Sequence, residues 1–200
     1  MIKRIGVIAL VVLALCAVGC ERNKKTMQTE SEIQTEINAK TYTIPESYFM
    51  FTNTSVEETK DYLENDGKIF CEDVKINGAD LELTLTNEQK ENLISRNNHA
   101  IEKYKKKILE FNDLYEVSYD MAKNELTICF DETFLQSPTG IGEIYAMAVS
   151  YGYNYMLENN TTDWSMRINF FNCNTDKLVK SFVIPDENTT IGPEDWNQSR

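Results

Sequence analysis

Val74-Lys75-Ile76-Asn77-Gly78-Ala79-Asp80-Leu81-Glu82-Leu83-Thr84-Leu85 reads as a β-hairpin. Val74 and Ile76 alternate with polar residues, and Leu81, Leu83 and Leu85 do the same after the turn. Side chains two apart on a strand share a face, so each half presents one apolar side to a core. Asn77-Gly78 is the dipeptide favoured in two-residue hairpin turns, because it tolerates positive φ. The hairpin is expected across residues 68–86.

Reading downstream, Thr86 and Gln89 stand three apart, as a capping box requires. Leu93, Asn97, Ile101, Tyr104, Ile108 and Phe111 then recur at spacings of three and four. That periodicity predicts an amphipathic helix over residues 86–111, ended by Asn112-Asp113. A second hairpin is expected over 114–130. Tyr115, Val117 and Tyr119 alternate in one strand and Leu126, Ile128 and Phe130 in the other, with Cys129 on the opposite face. Ser137-Pro138 opens a third helix reaching about residue 158, since proline suits a first helical turn. Its inner stripe runs Ile141, Ile144 or Tyr145, Ala148, Gly152 and Tyr155, and the small pair Ala148 and Gly152 permits close approach to a sheet. A third hairpin covers 164–184, with Met166, Ile168 and Phe170, then Leu178, Phe182 and Ile184, facing inward. Pro185 ends it.

Upstream, Ser55 and Glu58 form another capping box, and Gly67 is placed to stop the helix. Val56, Thr59, Tyr62 and Leu63 are its expected inner face. Residues 42–51 are aromatic and apolar but contain Pro45, which a strand tolerates only at an edge. They are read as an edge strand entering the domain. The order helix, hairpin, three times over, predicts an α+β fold. Its form would be one antiparallel sheet of hairpins with helices packed on one face, in αββ units. Residues 41–186 form the domain and 187–200 a polar tail containing Trp196.

The first 20 residues are of another kind. Lys3 and Arg4 precede an apolar run ending in Ala17-Val18-Gly19-Cys20, after which the chain turns polar. A positive start, a short apolar core and small residues at the end make an export signal, and the run is short of the roughly 20 residues that span a bilayer. Ala17-Val18-Gly19-Cys20 resembles the lipobox of bacterial lipoproteins. The resemblance covers residues 1–20 only. It implies cleavage after residue 19 and a diacylglycerol thioether on Cys20, which would anchor the protein on the extracytoplasmic side of the cell membrane. Residues 20–40 are then the lipidated cysteine and a polar linker, reaching roughly 25–30 Å as a flexible coil.

Losing residues 1–19 removes Lys3 and Arg4 and takes the net charge from −12 to −14. An acidic chain lacks the basic footprint that nucleic acid demands, and it is repelled by anionic lipid, so attachment must be covalent. Ten tyrosines and nine phenylalanines can build a core. With Cys16 removed and Cys20 acylated, Cys71, Cys129 and Cys173 remain. They are expected as three buried or semi-buried thiols, the alternative being a Cys129–Cys173 disulfide. There is no CxxC pair to suggest zinc or dithiol chemistry.

No constellation carries a reaction. His99, the one histidine, falls on the outer face of the long helix near Arg96, Lys103 and Lys106. That neighbourhood offers no group to orient a catalytic imidazole. Arg96, Lys103, Lys105, Lys106 and Lys107 form a basic face. Most such faces are solvated; the sharper reading is a docking surface. Tyr145, Tyr151, Tyr153 and Tyr155 spread around the third helix, so some must reach the surface, where tyrosines favour contacts. Gly140-Ile141-Gly142 is turn chemistry rather than a phosphate cradle. Glu57, Glu58, Asp61, Glu64 and Asp66, and Asp131-Glu132, supply carboxylates that a glycosidase would need in a facing pair. The expectation is a membrane-anchored, non-enzymatic binding or protein-interaction module without cofactor or metal. Its partner would be an envelope protein, met through Arg96, Lys103, Lys106, Lys107, Tyr151 and Tyr153. The alternative is a cell-envelope hydrolase of glycan or peptide using paired carboxylates.

Overall fold

The computed structural model describes residues 38–65, 70–136, 140–186 and 190–200. The export signal, Cys20, most of the linker, Gly67 and Ser137-Pro138 lie outside the described residues. The fold is α+β. Its elements, in chain order, are β1 (Lys40–Ile44), α1 (Glu46–Thr52), α2 (Val56–Asn65), β2 (Asp73–Asn77), β3 (Asp80–Leu85) and α3 (Asn87–Leu109). After them come β4 (Glu116–Asp120), β5 (Glu125–Phe130), a 3-10 turn (Glu132–Gln136), α4 (Gly140–Asn159), β6 (Met166–Asn172), β7 (Lys177–Ile184) and α5 (Pro193–Asn197).

All three expected hairpins form, and each is antiparallel. The first carries its leucines inward: Leu81, Leu83 and Leu85 are buried, and their spacing of two follows the pleat. Its loop is shifted by one residue from the expected turn. Asn77 pairs with Asp80, so Gly78 and Ala79 make the turn, and Gly78 alone of the two sits at positive φ, 67°. That is the pattern of a turn that takes glycine first.

The hairpins do not share one sheet. β1, β3 and β2 form a three-stranded antiparallel sheet in that order, and β4, β5, β6 and β7 form a four-stranded one. β5 and β6 run parallel, joined by the 3-10 turn and α4 as a crossover. The single antiparallel sheet of αββ units is therefore corrected. Parallel neighbours need a long connection, and the 20-residue α4 supplies it.

Two helices bridge the sheets. Thr86 Oγ accepts the Gln89 N–H and Gln89 Oε1 accepts the Thr86 N–H, closing the capping box that starts α3. α3 buries Leu93, Ile94, Asn97, Ile101, Tyr104 and Ile108. α4 lies antiparallel to it, because Asn97 meets Asn154 while Lys107 meets Glu143. α4 is buried on more than one face, since Ile144, Ala146, Met147, Ala148, Val149, Met156 and Leu157 are all enclosed. A helix apolar all round belongs inside. It packs on α3, β1 and β6. Gly140 begins it so close to Phe134 that a Cβ would stand 2.6 Å from the ring, which gives the glycine a packing role.

Two departures concern the chain ends. Residues 42–51 divide: β1 is an edge strand, as expected, but Glu46–Thr52 is helical, with Pro45 at its N-cap in extended conformation. The expected polar tail packs onto the domain. Trp196 is 2% exposed and stacks on Phe130 at 5.2 Å. Asn172 Nδ2 donates to Ser199, Lys180 pairs with Asp195 at 3.1 Å, and Arg200 pairs with Glu132.

Candidate functional site

A concave surface lies where α1, α2 and the β2–β3 turn meet. Pro45 holds the chain extended, and the next N–H, of Glu46, donates to Asp80 Oδ1 at 2.8 Å, tying α1 to the hairpin. α1 stops at Asn53, which adopts the left-handed conformation at φ 52° and returns its N–H to the last turn. Two residues on, Ser55 caps α2. Its Oγ accepts the Glu58 N–H at 3.2 Å and donates to Glu57 Oε2 at 2.8 Å. Only half of the expected capping box is made this way, the serine half.

The result is a groove of about 490 Å³ lined by Phe49, Met50, Val56 and Ala79 and by three carboxylates, Glu46, Glu57 and Glu58. Met50 is 73% exposed, the most exposed large apolar side chain among the described residues. None of the three carboxylates is in an ion pair among the described residues. The Glu57 carboxyl is held below the usual range by its own backbone N–H and then by Ser55. The groove thus sets apolar side chains beside negatively charged ones.

The residues singled out in the sequence are not gathered in one place. Lys103 and Lys106 are exposed on α3, but Lys106 pairs with Glu110 at 3.7 Å and Lys107 with Glu143 at 2.8 Å. Arg96 lies 4.5 Å over the Phe70 ring. Much of the basic face is therefore engaged within the fold. Tyr151 is half-buried and stacks on Tyr119 at 3.9 Å, while Tyr153 packs against Tyr48 at 6.0 Å. These two tyrosines point to different neighbours and do not form one patch. His99 is exposed, in a shallow hollow with Glu91, Ser95, Asn98 and Glu102, all from α3 itself.

Among the described residues, the carboxyls with a displaced pKa are Glu57, Asp73, Asp120 and Asp131, and all four are displaced downward. At Asp131 burial pulls upward, but hydrogen bonds from Thr133, Tyr115 and Asn112 outweigh it. Cys71, Cys129 and Cys173 are free thiols. Burial pushes all three up, Cys129 to about 11 with Cys173 beside it, and a raised thiol is a poor nucleophile. Among the described residues no three His, Cys, Asp or Glu side chains converge as a metal site, and no helix is long and apolar enough to cross a membrane.

Sequence reasoning missed the groove because it read α1 as a strand. Pro45-Glu46, a proline just ahead of an acidic first turn, was the available signal. Comparison of the chain with protein-family models, with curated proteins and with solved structures finds no match.

Proposed function

We propose that this chain is a lipoprotein anchored through Cys20 to the extracytoplasmic face of the cell membrane, and that its domain binds an envelope protein rather than turning over a substrate. The groove between α1, α2 and the β2–β3 turn carries the reading. An exposed methionine is adaptable and polarisable, which suits a contact surface. Three unpaired carboxylates around it select a partner segment with lysine or arginine flanking an apolar side chain.

The test places a photo-crosslinking side chain at position 50 in intact cells. One crosslinked partner is expected with the otherwise unchanged chain, at least tenfold weaker with Glu57→Lys and Glu58→Lys together, and lost with Cys20→Ser. Equal crosslinking in the charge-reversed chain would remove the groove from the proposal. Mass spectrometry of the mature chain tests the anchor separately, with a diacylglyceryl group expected on Cys20.

A further inference from the structure

Beside the groove, and sharing Phe49 with it, lies a partly enclosed cavity of about 50 Å³. β1 and β3 give it Ile44, Leu81 and Leu83, α2 gives Leu63 and α3 gives Leu93, all of them buried. α1 adds the rings of Tyr48 and Phe49. Thr59 and Asn97 also reach its wall, but both are engaged elsewhere. Thr59 Oγ1 donates to the Ser55 carbonyl at 2.8 Å. Asn97 Nδ2 donates to the Ser150 carbonyl at 2.6 Å and to Asn154 Oδ1 at 2.9 Å. What the cavity offers an occupant is mostly hydrocarbon and ring surface.

Such a lining selects by what it lacks. A water held inside a protein needs two to four polar partners, and a charged group would lose its hydration without replacement. An aliphatic group gains dispersion contacts with every wall and gives up nothing of that kind. We propose that the cavity is the anchor pocket of the groove: a small aliphatic side chain of the docked partner segment enters past Phe49 and is held against the leucine wall. This rests on the reading of the groove as a docking surface, and adds to it the residue type at the centre of the bound segment. Phe49 joins the two hollows, because it borders both. Glu46, Glu57 and Glu58 line the groove and not the cavity, so the basic flanks of the segment stay outside while its aliphatic side chain goes in. Binding energy between proteins concentrates in desolvated anchor pockets of this type.

Xenon, a compact apolar atom, probes the cavity without the partner. In the methyl-labelled full chain under xenon pressure, saturable shifts are expected at the Leu81, Leu83 and Leu93 methyls, and none at Ile168 in the second sheet. A folded chain without saturable shifts overturns the proposal. Leu63→Phe narrows the cavity and leaves Glu57 and Glu58 untouched. It should abolish the shifts and weaken crosslinking from position 50 several-fold, while the volume-conserving Leu63→Met retains both. Leu93→Phe repeats the measurement from the α3 side should Leu63→Phe fail to fold. A folded, filled variant that crosslinks as well as the unchanged chain removes the anchor and leaves the groove its partner. An unchanged chain that crosslinks no partner defeats the docking reading itself, and the anchor role with it, whatever xenon does.

Discussion

At the scale of single residues, two glycines show competing effects that magnitudes can decide. In Gly152, helix propensity favours alanine by about 1 kcal/mol. Space opposes it: a Cβ would stand 3.0 Å from Trp164 Cε3 and 3.3 Å from the Trp164 carbonyl oxygen. That oxygen belongs to the backbone and cannot swing away, and overpacking costs about 1–3 kcal/mol. Gly152→Ala is therefore expected to lower stability by about 1 kcal/mol net, read as a lower midpoint in urea with an unchanged slope. A gain in stability would show that α4 can shift off Trp164. The small pair Ala148 and Gly152 was legible in the sequence as a place of close approach. A sheet was the expected neighbour, but that Trp164, just ahead of β6, makes the contact was not legible, since only the folded crossover brings residue 164 there. Met50 is the reverse case. Its exposure follows from the helical twist of α1, which a strand reading of residues 42–51 could not place.

Elements were legible where a local pattern matched a local cause. α3 was read from its stripe and its cap; the cap is present and the stripe is buried from Leu93 to Ile108, but Phe111 lies past the helix end and is 50% exposed. The last strand was read less well. Phe170 pairs with Lys180 and Phe171 with Leu178, so Val179 is an extra residue, a bulge. Val179 turns inward and Leu178 is left 49% exposed, the opposite of strict alternation. A bulge depends on the neighbouring strand, so alternation within one strand does not reveal it. The α3–α4 contact holds a polar ladder that the stripe only hinted at. Asn97 occupies an apolar position, donates to Ser150 and Asn154, and Asn154 in turn donates to Asn98 at 2.7 Å. Asn97→Ala strands the buried Ser150 carbonyl and Asn154, at a cost of about 1–3 kcal/mol. Combined with Asn154→Ala, the loss should be less than the sum by about 0.5 kcal/mol or more, because one network is broken once. Strict additivity in a double-mutant cycle would mean the ladder does not couple the helices.

For the whole molecule, the arrangement of sheets was the least legible part. Each hairpin is local, but pairing β5 with β6 spans the length of α4, and nothing in either strand's own pattern chooses a parallel neighbour. The same enclosed architecture predicts a response to alkali. Burial, the largest cause in each case, raises the phenols of Tyr48, Tyr119 and Tyr153, and pushes Tyr115 up to about 12. In the unfolded chain these groups ionise near pH 10. A phenol whose folded pKa is raised contributes stability that is complete below the unfolded value and is lost as pH rises through the folded one. Stability should therefore hold to about pH 9 and fall steadily above about pH 10. Phenolate absorbance should lag behind that of free tyrosine until unfolding begins. A flat profile to pH 11 would contradict the enclosure of these rings.

The docked segment at residues 190–200 adds a matter of timing. Trp196 covers Phe130 and the strand ends beneath it, and Asn172 waits for Ser199 to be satisfied. A chain made from its N-terminus delivers these residues after β1 to β7 have appeared. Until then the second sheet has an open, greasy end. The first sheet and α3 can assemble early, but closure of the domain is deferred until residues 190–200 are made, so a product cut short before them lacks its seal.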